Sequence, residues 1–240
     1  MERKEDDDDI VCLDESFFIN DNYQLTTFTF GSQVLELYCL QSASTDFDLT
    51  GQLVWPGALL LNNYLSKNSD MLQGCSVIEL GSGVGVTGIL CSLFCTEVVL
   101  SDHNDEVVKI LKKNIEHHRS LETSRSCAAG LVAEKLEWGN PDHMSQILQK
   151  YPGGFDLVLG ADICFQQASV PPLFDTVEQL LHLKGGKQCK FILAYVSRAK
   201  IMDSMVTNEA IRHGMQISEV PGTRSVVGNL EGVIFEITLQ

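Results

Sequence analysis

The stretch Val77-Ile78-Glu79-Leu80-Gly81-Ser82-Gly83-Val84-Gly85-Val86-Thr87-Gly88 constrains this chain more than any other. A short apolar strand, Cys75 to Leu80, runs into a loop with glycine at every second position, and a helical pattern, Val84 to Phe94, follows at once. Glycine lets a backbone turn sharply and approach a ligand closely. The helix start behind it presents unpaired N–H groups. A strand, a glycine loop and a helix in that order open a βαβ unit. Such units build a mostly parallel sheet with helices on both faces.

The rest of the chain keeps that rhythm. Gln24 to Leu40 reads as a β-hairpin turned at Gly31-Ser32, and Gln41 to Gly51 as a polar linker. Leu53 to Lys67 carries apolar residues at helical spacing after a Trp55-Pro56-Gly57 entry. Glu97 to Leu100 is a second strand, and Asn104 to His118 an amphipathic helix with Val107, Ile110, Leu111 and Ile115 on one face. A third strand falls around Cys127 to Val132, a fourth at Phe155 to Leu159 and a fifth at Lys190 to Val196. Helices cover Leu173 to Leu183 and Ile201 to His213. The last two strands, Met215 to Val220 and Val233 to Leu239, follow each other across turn residues without a helix. One of them is therefore expected to run antiparallel. Residues 1–50 thus read as an acidic tail with a hairpin extension, and residues 51–240 as one seven-stranded α/β domain.

Composition narrows the partners. The 240 residues hold 17 Lys and Arg against 32 Asp and Glu, a formal charge of −15. That field argues against a nucleic-acid backbone and suits a basic partner. Glu5 to Asp9 is a solvated acidic run. The longest apolar runs are too short to span a bilayer, and the charged first residues lack the apolar core of a secretory signal. Eight cysteines without a single CxxC pair read as buried free thiols in a reducing compartment, cytoplasmic and also nuclear. A monomer is expected. No HExxH, carboxylate cluster or Cys/His grouping suggests a metal.

Two cofactor classes compete for the glycine loop. Gly83, Gly85 and Gly88 fit the GxGxxG of dinucleotide binding, and Glu79 with Gly81, Gly83 and Gly85 fits the E/D-x-G-x-G-x-G of S-adenosylmethionine enzymes. Context favours the methyl donor. An acid at Glu79 would repel a pyrophosphate but can orient the ammonium of a methionine moiety. Asp102, ending the second strand, is placed to accept hydrogen bonds from ribose hydroxyls, though a helix-capping role competes for it.

Three further motifs narrow the family: Leu53-Val54-Trp55-Pro56-Gly57-Ala58, Leu136-Glu137-Trp138-Gly139 and Gly160-Ala161-Asp162-Ile163-Cys164-Phe165. With Glu79 to Gly85 they resemble the family-16 seven-β-strand methyltransferases, a group holding many protein-lysine methyltransferases. The resemblance covers roughly Gly51 to Gln240 and extends to the N-terminal hairpin. It implies a Rossmann-like class I methyltransferase fold and S-adenosylmethionine as cofactor. It further implies a cofactor pocket lined by Trp55, Trp138 and Ala161, with Gly81, Ser82, Gly83 and Gly85 against the cofactor.

For the chemistry, Asp162 lies just past the fourth strand, at the end where α/β sheets bind ligands, and is a candidate to position the acceptor nitrogen. The family's lysine enzymes commonly read D-x-x-Y here. This chain reads Asp162-Ile163-Cys164-Phe165, so Phe165 keeps an aromatic wall for an alkyl-ammonium chain and loses the hydroxyl. Ser197-Arg198 follow the fifth strand on the crevice side, within reach of a substrate. The expected function is methyl transfer to a protein side-chain nitrogen, lysine first. Transfer to another side chain or a small molecule, and a binding module without turnover, are the alternatives.

Overall fold

A computed structural model describes residues 22–42, 46–121, 130–184 and 189–240. The run Glu5 to Asp9, Cys12 and Cys127 lie outside the described residues. The other six cysteines are free; five are buried and Cys75 is half-buried.

The elements run β1 Gln24–Phe30, β2 Gln33–Cys39, α1 Pro56–Lys67, β3 Ser76–Leu80, α2 Val86–Ser92, β4 Glu97–Asp102, α3 Asp105–Leu121 and β5 Gly130–Lys135. They continue with α4 Pro141–Lys150, β6 Leu157–Ala161, α5 Val170–His182, β7 Lys190–Val196, α6 Lys200–Arg212, β8 Met215–Glu219, β9 Ser225–Val227 and β10 Leu230–Leu239. The main sheet has the order β5-β4-β3-β6-β7-β10-β8, with β9 also paired to β10. β3 to β7 are parallel, and β10 runs antiparallel to its three partners.

Strand residues alternate between two cores, as period-2 side chains must. Val77, Val98, Leu100, Leu157, Leu159, Ile192 and Ala194 face α1, α2 and α3. Ile78, Leu80, Val99, Val158, Phe191 and Leu193 face α4, α5 and α6. The chain leaves β3 toward β4 and β5, then returns to β6 on the other side. The crevice at the carboxyl ends of β3 and β6 is therefore the topological switch point, where such sheets take ligands.

The β1–β2 hairpin forms a separate sheet in register Gln24↔Cys39 to Phe30↔Gln33. Its Phe30, Leu35 and Leu37 join the α1–α3 core. Asn114 of α3, fully buried, locks it there. Its Oδ1 accepts the Tyr38 N–H at 2.8 Å, and its Nδ2 donates to the carbonyls of Tyr38 and Val84 at 2.9 Å each. The hairpin is thus fixed to the glycine loop itself.

Three differences from the sequence expectation have local causes. The third strand runs on to Lys135, past the expected end at Val132, because at this sheet edge the polar Glu134 and Lys135 mask the strand signal; the expected start at Cys127 lies outside the described residues. Helix α4 follows the third strand, in a stretch to which the sequence expectation assigns no element. Asn140 caps it, accepting the N–H groups of Asp142 and His143 at 3.1 and 3.2 Å, with Pro141 at the first helical position. The short strand β9 adds an eighth member to the expected seven.

Candidate active site

The carboxyl ends of β3, β4 and β6 and the entry to α1 enclose an open cavity of about 210 Å³. Its walls include Trp55, Glu79, Gly81, Ser82, Gly83, Asp102, Trp138, Ala161, Asp162 and Phe165. Each sequence-predicted site residue is therefore present except Gly85. That glycine is the N-cap of α2 with φ 90°, and it faces Leu111 and Leu100 in the core; the structure places it outside the walls.

The loop is held by packing and by its own hydrogen bonds. A Cβ on Gly83 would lie 2.7 Å from the Gly51 carbonyl oxygen, and Gly83 itself has φ 54°, so no other residue fits without displacing backbone. Ser82 donates its N–H to the Ser101 carbonyl at 2.8 Å and accepts the Ser101 N–H on Oγ at 3.0 Å, joining the loop to β4.

Glu79 and Asp102 are buried side by side at the cavity floor. Glu79 Oε2 accepts the Gly88 N–H at 3.0 Å. Burial outweighs that bond and the hydroxyls of Thr87 and Ser82, pushing its carboxyl from 4.5 up to about 7. Asp102 Oδ2 accepts the Gly83 N–H at 3.1 Å and Oδ1 the Asn104 N–H at 3.2 Å. Burial raises its carboxyl, opposed by His103 and by these N–H groups. The capping of α3 falls to Asn104, whose Oδ1 accepts the N–H groups of Glu106 and Val107 at 2.9 and 3.3 Å. Asp102 is left turned to the cavity.

Glu79 makes the fold's stability pH-dependent. Its raised folded pKa means its stabilising contribution is present below about pH 4.5 and lost as pH rises through about 7. Relative to Glu79→Gln, the wild-type chain is expected to lose about 3 kcal/mol between pH 4 and pH 8, from the 1.36 kcal/mol per pKa unit. Urea unfolding of both proteins across that range measures it. Parallel pH curves would show that Glu79 ionises normally.

At the mouth, Asp162 is the one described non-glycine residue with positive φ, 61°. Such strain persists where surrounding contacts over-determine it. Its N–H bonds the Ala194 carbonyl at 2.9 Å, and its Oδ2 accepts the Gly57 N–H at 3.1 Å. A Cβ on Gly57 would stand 2.7 Å from that of Asp162, so the glycine of the Trp-Pro-Gly entry is what admits the aspartate. Arg198 forks onto both carboxylate oxygens: Nη2 to Oδ2 at 2.9 Å, Nη1 to Oδ1. Its guanidinium lies 5.6 Å from the Trp55 ring centroid, and Trp55 stacks with Phe165 at 6.5 Å and 10°. The Trp55 indole N–H bonds the Thr50 carbonyl at 2.8 Å. On the opposite wall, Trp138 and Ile163 close over Gly81.

The sequence reading left out Gly51, Thr87 and Ile163 as walls and did not connect Arg198 to Asp162. Gly51 carried one available signal, a glycine at the start of the core.

Two observations define the class of protein. The doubly wound sheet carries antiparallel β10 inserted between β7 and β8, and its switch-point cavity is floored by carboxylates on the strand before the glycine loop and on the next strand. Together these are the class I methyltransferase fold. The chain belongs to the lysine methyltransferase family, whose model matches residues 36–208. It is similar to protein N-lysine methyltransferase METTL21A of Mus musculus, 30% identical over 159 residues, 65% of each chain. It also resembles EEF1A lysine methyltransferase 3 of Xenopus tropicalis, 35% identical over 127 residues, 53% of this chain and 51% of that one. The chain thus matches only about half to two thirds of these relatives' length. Magnesium protoporphyrin IX methyltransferase from Synechocystis, solved with bound S-adenosylmethionine, shares the fold at TM-score 0.52 and 13% identity, over 83% of this chain and 86% of that one.

Proposed function

We propose that this chain transfers a methyl group from S-adenosylmethionine to a lysine side chain of a protein. The observation that carries it is the charge of the cavity: Glu79, Asp102 and Glu137 line it with no Lys or Arg among its described lining residues, while Asp162 at the mouth is paired with Arg198. A pyrophosphate would meet carboxylates without compensation, whereas a ligand bearing an ammonium and a sulfonium is attracted. The dinucleotide reading of the glycine loop falls on that ground. The residues fit the methyl donor: Glu79 would face its ammonium end, Asp102 would accept from its ribose hydroxyls, and Trp55, Trp138 and Ala161 would give it apolar walls.

When bound, that cofactor supplies an electrophilic methyl group, and the chemistry is its own. The protein's part is to hold the acceptor nitrogen in line and keep water out. Trp55 and Phe165 stack into an aromatic wall at the mouth along which a long alkyl chain can lie, and the excess of acid over base suits a basic, lysine-bearing segment. The thiol-rich composition supports a cytoplasmic or nuclear setting, and we take the working form to be a monomer.

Incubating the protein with methyl-labelled S-adenosylmethionine and cell extract, then hydrolysing the labelled protein, is expected to yield label in methyl-lysine. Label confined to methyl-arginine, methyl-histidine or small molecules would overturn the lysine reading. Cofactor binding with no transfer to any acceptor would favour a binding module.

A further inference from the structure

The Asp162–Arg198 pair changes what the acceptor mouth can hold. An ionised carboxylate offers about four acceptor positions. Two are filled by the guanidinium and one by the Gly57 N–H, leaving one on Oδ1. The Asp162 side chain is 1% exposed and that of Arg198 28%, so the pair sits where water screens it weakly. Asp162 raises the already high pKa of Arg198 further, so the guanidinium stays charged. The other titratable neighbours do not disturb the balance. Burial pushes the Cys164 thiol up to about 12, and it pushes the Tyr195 hydroxyl, bonded to Asp203 at 2.6 Å, up as well. Both stay neutral at physiological pH.

We propose that Arg198 is a specificity-determining residue: its fork neutralises Asp162, so the mouth accepts an uncharged amine and does not retain an ammonium. This inference rests on the methyltransferase reading above. An entering ammonium would meet a guanidinium and a carboxylate whose charge is already spent. A bidentate guanidinium–carboxylate pair is also not displaced by a single ammonium, because the fork geometry gives it two parallel charge-assisted bonds. The acceptor therefore gives its proton to bulk water before it enters. Its one remaining N–H interaction is with the open position on Oδ1, which orients the nitrogen lone pair. That lone pair forms the new N–C bond as the methyl's bond to sulfur breaks and its electron pair stays on sulfur. The resulting methylated nitrogen carries the positive charge that the sulfonium loses.

The test uses n-butylammonium chloride as a lysine side-chain probe at pH 7, with the whole chain saturated by S-adenosylhomocysteine. Binding is followed by the indole N–H resonances of Trp55 and Trp138, the two tryptophans of the chain. The Arg198→Met protein is expected to bind the probe roughly tenfold or more tightly than wild type, a gain of about 1.4 kcal/mol, because Asp162 is unmasked. Arg198→Lys, which keeps a cation on Asp162, shows no such gain. A residue with a merely structural role would lower affinities when removed, not raise one. Should the methionine variant fail to fold, Arg198→Gln, which removes the charge and keeps an amide donor, is expected to show the same gain. The proposal is overturned if neither folded variant gains, or if wild type already binds the probe in a manner lost in Asp162→Asn. Failure of wild type to bind S-adenosylhomocysteine would instead sink the methyltransferase reading and leave the two failures distinct.

Discussion

Replacing Asn114 by leucine is expected to lower the unfolding free energy by about 3–5 kcal/mol, since each buried polar group left unsatisfied costs about 1–3 kcal/mol. Asn114 serves three such groups at once: the N–H and carbonyl of Tyr38 and the carbonyl of Val84. Leucine keeps the branching at Cγ, with a somewhat bulkier side chain, but bonds none of them. For a chain of this length the loss corresponds to a fall in melting temperature of about 10 °C. Because Val84 lines the cavity, the effect reaches the site. Cofactor affinity should fall with stability, and limited proteolysis should cut the β1–β2 hairpin before the sheet. A melting temperature within about 2 °C of wild type would mean that the hairpin is held by Phe30, Leu35 and Leu37 alone.

The second large effect concerns Asp102. Alanine there is expected to weaken S-adenosylmethionine binding by about 100-fold, since charge-assisted hydrogen bonds contribute about 1.5–3 kcal/mol each and a ribose offers two hydroxyls. The same change releases the N–H groups of Gly83 and Asn104, so stability falls too, by about 1–2 kcal/mol. The relief of a desolvated carboxylate offsets part of that loss. The two measurements together separate the roles: a stability loss with undiminished affinity would make Asp102 a loop anchor and remove it from the site.

Much of this was legible in the residues because local signals agreed. The apolar strands, the glycine loop and the acids two residues before it and at the end of the next strand each have a short-range pattern. The two tryptophans stand in motif positions. What escaped was decided by chain segments far apart. Asp162 and Arg198 are 36 residues apart, and their pairing depends on the left-handed backbone at Asp162 and on a glycine 105 residues upstream. No spacing rule encodes that. Gly85 fits the glycine pattern yet serves the core, because a motif records where backbone must be close without saying to what. Helix α4 is a different case: Asn140-Pro141 is a cap followed by a first-turn proline, and the signal was present but hidden by the polar residues behind it.

The central claim is that the switch-point cavity holds S-adenosylmethionine with Glu79 at its ammonium. Calorimetric titration of the wild-type protein at pH 7, in two buffers of different ionisation enthalpy, tests it most directly. One-site binding is predicted, with release of about half a proton as the ligand's positive charge ionises a Glu79 that titrates near 7. NADH should give no heat. Silence with millimolar S-adenosylmethionine, alongside saturable binding of NADH, would contradict it.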